Sequence, residues 1–398
     1  MSVLIPRFRL IDLCGPGYVF NSRVPDNAAR WIFATPASAD AATGNQLTVL
    51  GDMPLLCSAG VATPAGLGLL RDIGFELEAE PVTFRDAAER LDKMRRLAAQ
   101  GRVFIDQHVQ PDTSLHPGGS WVDPRLLSSL NNKSRLSDWV PARHLPAREV
   151  RQRDALAGLA ADPARFPLVL KAVTEASCGS GKGVRIVRDA AELKAAQGCF
   201  AGCDSLIVEE FLPMERNLCV NYAVFADGRI EYLGAAQQII DDRHHYRGNW
   251  LEPPGTVPRA LIQTGHDLML KAYRHGYRGF AGFDCAVGGN GSFYIYDLNF
   301  RFNGSTAPLL LYDALARHTG LPVAKYSAWK YSGDYEDMLR ALRAAFDKHR
   351  LIPINTFDPS RCAGIPACEP RVTALLFGAS QEDVQEKECR LGVTGFFQ

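Results

Sequence analysis

The sequence has no surplus of either charge. Lys and Arg together number 44, and so do Asp and Glu. General nucleic-acid binding rests on an excess of cations, so that class is disfavoured. There is no apolar run near the roughly 20 residues that a membrane-spanning helix requires. The opening MSVLIPRFRLIDLCG lacks the succession of charged, apolar and small-residue regions that marks a secretory leader. A cytoplasmic protein is expected, with neither nucleic acid nor membrane as partner. The 10 cysteines form no CxxC pair. Several, such as Cys57 in LLC and Cys219 in NLCV, sit inside apolar runs, where a thiol behaves as a small hydrophobe. Reduced, buried thiols are therefore expected in preference to a zinc or disulfide framework. Internal repeats and long low-complexity segments are also missing.

What is present is a chain of 398 residues, enough for two or three domains and a large core. Residues 8–130 alternate short apolar runs (RLIDLC, RWIFAT, QLTVLG, PLLCSAG, RVFIDQHV) with helical stretches, including a charged helix near 84–100. That is the pattern of an α/β unit with a mostly parallel sheet. Gln110–Gly119 reads as a loop. A second unit is expected from about Leu126, where PARHLPAREV connects a short helix to the next one. FPLVLKAV and VRIV then read as strands and DAAELKAAQ as a helix capped by Asp189 and Glu192. LCVNYAVFADGRIEYLGAAQQII and CAVGGNGSFYIYDLNF read as hairpins turning at ADG and GGNGS. Residues 334–350 have helical periodicity, and VTALLFG and SQEDVQEKECRL close the chain as a strand and a helix.

Two segments carry chemistry. The first is TEASCGSGKGVR, residues 174–185. It fails the Walker A pattern at both ends, because Gly183 follows Lys182 and Ala176 stands where the first glycine belongs. It also fails the dinucleotide fingerprint, because its glycines lead into VRIV and not into a helix. A glycine hairpin between two strands can fold over phosphates and donate backbone N–H groups; an ordinary flexible hairpin is the plain alternative. Lys171 closes the preceding apolar strand. Burial there is costly without an anion, which a polyphosphate would provide, although a lysine can also snorkel at a strand end. The second segment is FDCAVGGNGSFYIYDLNFRFNGS. Asp284 and Asp297 can face each other across its turn. Asp297, Asn299 and Arg301 alternate and so share one strand face. Two carboxylates and a carboxamide oxygen suit magnesium on nucleotide phosphates. Arg301 could hold a carboxylate or a developing phosphoryl charge. A solvated edge strand is the competing reading. His244 and His245, beside Asp241 and Asp242, are read as part of a substrate-side loop with Arg243, Tyr246, Arg247 and Trp250, preceded by Gln237 and Gln238. A metal site there is disfavoured, because adjacent residues of an extended strand point apart.

Lys133 in LNNK, Lys171 in LVLKA, the loop SCGSGKGV, the run LIVEEFL and the strand YDLNFRFN occur in the order of ATP-grasp enzymes. Asp284 in GFDCAV fills that family's other metal position, and residues 126–315 resemble the family. The N-terminal region resembles the pre-ATP-grasp domain of natural-product peptide ligases of the pheganomycin type, most closely in LSSLNNKSRLSDWVP. The resemblance implies an α/β chain with an ATP-grasp fold of α+β character behind a parallel-sheet domain. Its parts would be an N-terminal domain at 1–125, a small subdomain with the glycine lid at 126–211, a large subdomain with the magnesium site at 212–325, and an α/β extension at 326–398. It implies ATP and Mg2+ as cofactors. Lys133 and Lys171 would bind phosphates. Gly179, Ser180, Gly181, Lys182 and Gly183 would close over them. Glu209, Glu210, Phe211 and Leu212 would form the adenine hinge, with Arg216 and Asn217 near the ribose or phosphates. Asp284, Asp297 and Asn299 would hold magnesium, and Arg301 would stabilise an acyl phosphate, with Lys171 assisting catalysis. The family usually has Glu where this chain has Asp297, which shortens the reach to the metal by one methylene. The implied activity joins a small-molecule carboxylate to an amine, such as an amino acid or peptide, in secondary metabolism. Homodimers are common in the family. A phosphotransferase using the same site, or a nucleotide-binding protein without turnover, are the rival readings.

Overall fold

The computed structural model describes residues 3–26, 32, 35–110, 115, 119–174, 179, 181–213, 215–242, 245–252 and 257–398. Among these residues the strands form three sheets. The first is parallel. Its strands β1 (Tyr18–Asn21), β2 (Leu55–Ser58), β3 (Val82–Phe84) and β4 (Val103–Asp106) lie in the order β3-β2-β1-β4. Helices α1 (Leu10–Cys14), α2 (Pro36–Ala41), α3 (Pro64–Ile73) and α4 (Ala87–Ala99) accompany them. Local chemistry sets these helix ends. The Thr63 hydroxyl accepts from Gly66 N at the start of α3, and Gly74 ends it in a left-handed conformation. Two expected apolar runs are not strands. RLIDLC contains α1, whose Asp12 carboxylate accepts from Arg9 N, and QLTVLG lies in turns. The central strand β1 came from YVFN, a run too short to register by alternation. RWIFAT and the loop at 110–119 lie largely outside the described residues.

After α5 (Pro124–Asn131), PARHLPAREV runs into a strand where a helix was expected. This is β5 (Arg148–Gln152), the edge of an antiparallel sheet with β6 (Leu168–Ala172), β7 (Val184–Val187) and β8 (Ser205–Glu210) in the order β5-β8-β6-β7. β6 and β7 flank the glycine loop, with Lys171 opposite Val184. α6 (Ala190–Cys199) is capped by Asp189, which accepts from Glu192 N at 2.8 Å. Glu192 returns its carboxylate to Arg188 N, one residue before the cap.

The third sheet has nine strands. β9 (Arg216–Val224), β10 (Ile230–Ile240), β11 (Tyr246–Leu251), β12 (Gly279–Val287), β13 (Phe293–Asn299), β14 (Val323–Tyr331), β15 (Leu351–Phe357) and β16 (Arg371–Gly378) follow the order β13-β12-β9-β10-β11-β14-β16-β15, and β17 (Phe396–Phe397) pairs with β14. Both expected hairpins, β9/β10 and β12/β13, belong to it. Its later strands come from the last quarter of the chain, so that region shares a sheet with Asp284 and Asp297. Helices α7 (Arg259–Arg274), α8 (Thr306–Thr319), α9 (Tyr335–His349) and α10 (Gln381–Val393) complete the order. One apolar cluster joins α1, α3, α8, α9 and the C-terminal strands. Another lies under β9, β12 and β13, where Phe283 packs in tilted contact with Tyr222 and Phe300, ring centroids 5.6 and 5.5 Å away. Every described cysteine is free, and most are buried.

Phe283 is fully buried directly beside Asp284 and supports the hairpin from below. Phe283→Ala should lower unfolding free energy by about 3–5 kcal/mol, read as a fall in the urea midpoint at unchanged slope. A midpoint equal to wild type would show that this cluster does not hold the hairpin.

Candidate active site

The antiparallel register of β12 and β13 sets Asp284 directly opposite Asp297. The register then slips: Cys285 pairs with Ile295, leaving Tyr296 as an extra residue on β13. Such a bulge re-aims side chains. Tyr296 and Asp297 are consecutive, yet both line the same cleft, while Ile295 and Leu298 enter the core. The β13 ladder ends at Asn299, so Arg301 is not on the strand as alternation predicted. It follows a tight turn in which Arg301 N donates to Asn299 O at 2.9 Å, and its guanidinium still reaches the cleft.

The cleft has a cavity volume of about 540 Å³, a size suited to a nucleotide-sized ligand. Lys133, Lys171, Asp284, Asp297, Asn299 and Arg301 all line it. Lys133 forms an ion pair with the Asp297 carboxylate. Asp284 accepts from Gln238 Nε2 at 2.9 Å and from Asn299 Nδ2 at 3.1 Å. Arg301 donates to Asn131 Oδ1 at 2.8 Å and to Asn299 Oδ1 at 2.5 Å. Asn131 also accepts from Phe300 N, which fixes the backbone on which Arg301 stands. Nothing in the sequence marks Asn131 or Tyr296 as a nucleotide or metal contact, and Gln238 is marked only as a pocket-lining residue. The bulge that exposes Tyr296 has no local sequence signature.

Lys171 shows why its burial alone did not prove a phosphate ligand. Its ammonium donates to Glu209 Oε1 at 2.5 Å and to Tyr296 O at 2.9 Å. The anionic partner required by burial is Glu209, from the strand expected to supply the adenine hinge. Burial still pushes the Lys171 pKa down, and Glu209 and Asp297 only partly oppose that. Arg148 stands behind both lysines: its Nη2 donates to Lys133 O at 2.6 Å, and its Nη1 lies 3.6 Å from Glu209 Oε2.

Glu209, Glu210, Phe211 and Leu212 line the cleft together, as does Asn217, which accepts from Tyr296 Oη at 2.5 Å. The Glu210 carboxylate is engaged elsewhere, accepting from Ala147 N. Arg216 is not among the lining residues. Gly179, Gly181 and Gly183 line the cleft and Lys182 does not. Lys182 lies nearer His245, whose pKa is lowered by burial first and by the Lys182 charge second. A methyl group placed on Gly179 would stand 3.6 Å from Arg301 Nη2, so the loop approaches the DLNFR segment closely. Ser180, with Cys178, Arg243 and His244, lies outside the described residues. Tyr246 and Arg247 line the cleft from β11, as does Gln238 from β10, whereas Gln237 and Trp250 do not.

The donor set fits a small divalent cation. Among the described residues no three or more His, Cys, Asp or Glu gather at one point, so the oxygen donors are essentially the Asp284–Asp297 pair. Magnesium is commonly held by one or two carboxylates with substrate phosphates completing its shell. Burial raises the Asp284 pKa to about 6, and the Asp297 charge adds to the rise. Asp297 is lowered instead: burial opposes this, but Lys133, Lys171 and Arg301 outweigh it. Asn299 stands beside the pair, with its carboxamide oxygen turned to Arg301 and its nitrogen to Asp284.

Sequence comparison decides the family. Residues 146–299 match the ATP-grasp family model of L-aspartate–L-methionine ligase. Residues 9–128 match the model of that ligase's N-terminal domain, so the two models together span well over half of the chain. The chain belongs to the ATP-grasp ligases. Solved structures agree in fold. The ADP complex of N5-carboxyaminoimidazole ribonucleotide synthetase is 15% identical with a TM-score of 0.59, covering 96% of this chain and 98% of that one. The Aspergillus clavatus N5-carboxyaminoimidazole synthase, bound to ADP and 5-aminoimidazole ribonucleotide, is 14% identical with a TM-score of 0.56, covering 95% and 99%. The biotin carboxylase domain of Hydrogenobacter thermophilus 2-oxoglutarate carboxylase, bound to MgADP and bicarbonate, is 11% identical with a TM-score of 0.57, covering 95% and 90%. This ATP-grasp chain is a carboxylate–amine ligase. No helix among its described residues is long and apolar enough to cross a membrane.

The raised Asp284 pKa makes a signed prediction for the cation-free protein. Its folded value of about 6 exceeds the ordinary 3.8, so the folded state keeps a proton that the unfolded chain releases. The contribution of this group to stability falls as pH rises from about 4 through about 6. Asp284→Asn should flatten that fall in urea unfolding free energies measured across the interval, and an unchanged slope would count against the assignment.

Proposed function

We propose that this ligase is ADP-forming and joins the carboxylate of one amino acid to the amine of another through an acyl phosphate. The observation that carries the reading is the opposed Asp284–Asp297 pair, set in a cleft that also holds Lys133, Lys171 and Arg301. An anionic, metal-binding pair ringed by cations suits the transfer of a phosphoryl group. The match to L-aspartate–L-methionine ligase over two regions supports L-aspartate as the acyl donor and L-methionine as the amine donor. The resemblance of the N-terminal region to ligases of the pheganomycin type supports a place for the product in secondary metabolism.

On this reading the adenine lies between β6, β7 and the segment Glu209–Leu212, with Val169, Ile186 and Leu212 as apolar walls. Lys133 and Lys171 face the phosphates. The glycine loop covers them, with Gly179, Gly181 and Gly183 allowing backbone approach. Asp284 and Asp297 would hold magnesium, with Asn299 beside them, and the ion would supply positive charge to offset that of the nucleotide phosphates. A carboxylate oxygen of the acyl donor attacks the γ-phosphorus, the bond to the β,γ-bridging oxygen breaks, and ADP leaves. Arg301, braced by Asn131, faces the charge on the transferred group. The amine then attacks the acyl carbon, loses a proton, and phosphate departs as the amide forms. The two steps call for no covalent nucleophile from the chain, which positions two substrates.

The test is incubation with ATP, magnesium, L-aspartate and L-methionine, followed by mass spectrometry and by ADP and phosphate assays. A dipeptide formed in step with one ADP and one phosphate is expected. Asp297→Asn should lower turnover by a factor on the order of 10²–10³ while ATP binding persists. A stable phosphorylated product without amide would show a phosphotransferase. Nucleotide binding without turnover, with any amino-acid pair, would overturn the ligase reading.

A further inference from the structure

We propose that Arg371 is the receptor for the carboxylate that is not activated, and so selects an amino acid over its carboxamide or decarboxylated analogue. This rests on the ligase reading of the same cleft. Arg371 opens β16, beyond both segments that the family models match. It lines the cleft although it comes from the far side of the nine-stranded sheet.

The argument begins with charge. Lys133 is paired with Asp297, Lys171 with Glu209 at 2.5 Å, and Arg247 with Asp241 at 2.7 Å. A fourth, Arg301, is held by the Asn131 and Asn299 carboxamides, and Arg371 differs from all four. Among the described residues no carboxylate pairs with it, and its one hydrogen bond runs from Nη1 to the Ser38 hydroxyl at 2.7 Å. That bond fixes the guanidinium against α2 of the N-terminal unit without neutralising it. Nε is buried and has no hydrogen-bond partner. An unsatisfied buried donor is unfavourable, and a carboxylate meets an arginine fork with two parallel N–H···O bonds.

Geometry supports the same end. Arg371 and Thr373 are two residues apart on β16 and so share a face. Thr373 lies opposite Ala328 on β14, and both residues line the cleft. Ser38 and Asn45 line it from the N-terminal unit. A fixed cation is therefore surrounded by short hydroxyl and amide side chains, on a wall formed by β14, β16 and α2. The groups assigned to phosphate come from β6, β12 and β13, from the segment after α5 that carries Lys133, and from the turn after β13 that carries Arg301. Among the described residues Arg371 is thus a cation without a paired carboxylate, at a wall separate from the Asp284–Asp297 pair. Both amino acids of the proposed reaction carry a carboxylate that stays intact: the second carboxylate of the acyl donor and the α-carboxylate of the amine donor.

The test is titration calorimetry of the full chain with magnesium and a non-hydrolysable ATP analogue. The probes are L-aspartate, L-asparagine, L-methionine and L-methioninamide, and the proteins are wild type, Arg371→Gln, Arg371→Lys and Ser38→Ala. Wild type should prefer an acid over its amide in at least one pair. Arg371→Gln should weaken that acid about tenfold or more and abolish the preference, with nucleotide affinity unchanged. Arg371→Lys should restore part of it. Loss of the aspartate preference would assign Arg371 to the acyl donor, and loss of the methionine preference to the amine donor. Ser38→Ala, which removes the brace but keeps the charge, should retain the preference. Thermal melts matching wild type exclude misfolding as the cause. A wild type without acid-over-amide preference, or an Arg371→Gln protein that keeps it, would overturn the proposal. Failure of the ligase reading is separately visible: acid binding through Arg371 with no dipeptide formed from ATP.

Discussion

Two half-buried carboxylates face each other across one pair of strands, and the cleft is organised around them. Asp284 and Asp297 could not both be ionised in isolation, because burial and mutual repulsion oppose it. The chain answers asymmetrically. Lys133, Lys171 and Arg301 hold Asp297 charged, while Asp284 is left raised to about 6 and receives two neutral amide donors. The result is a site with one fixed negative charge and one that a cation can draw out. The other contacts keep this asymmetry in place. Asn131 braces Arg301, Arg148 stands behind Lys133, and Glu209 occupies Lys171.

The nine-stranded sheet gives that pair its setting. Because β12 and β13 occupy one end and β14, β16 and β15 the other, residues near 284 and near 371 look into one cleft. The small antiparallel sheet contributes the glycine loop and Glu209, and the parallel sheet and α2 close the remaining side through Gln107, His108 and Ser38. Burial and the charges of Arg301 and Arg23 push the His108 imidazole well below its ordinary pKa, so this part of the wall adds no positive charge of its own near neutral pH. Among the described residues, the cations that act on the carboxylate pair are Lys133, Lys171 and Arg301.

The parts legible in sequence were those whose pattern and chemistry coincide. DLNFR put Asp297 and Asn299 on one face, the GGNGS turn set Asp284 against them, and the β-branched VRIV excluded a helix after the glycine loop. Where one signal had two physical readings, inference stopped short. Lys171 demanded an anion, and Glu209 met that demand within the protein. Arg301 shared the alternation of its neighbours but lies beyond the strand. RLIDLC is apolar enough for a strand, yet it holds a short helix whose Asp12 carboxylate accepts from Arg9 N. The bulge at Tyr296, the bracing by Asn131 and the return of β16 to the cleft depend on pairings far apart in sequence, and local pattern does not encode them.

The central claim is that this cleft moves a carboxylate oxygen onto phosphorus. The most direct measurement uses an acyl donor labelled with ¹⁸O in its carboxylates, with mass analysis of the phosphate, the nucleotide and the amide. One ¹⁸O per phosphate released, with ADP unlabelled, is the predicted result. Label in AMP, or label-free phosphate accompanying amide formation, would contradict it.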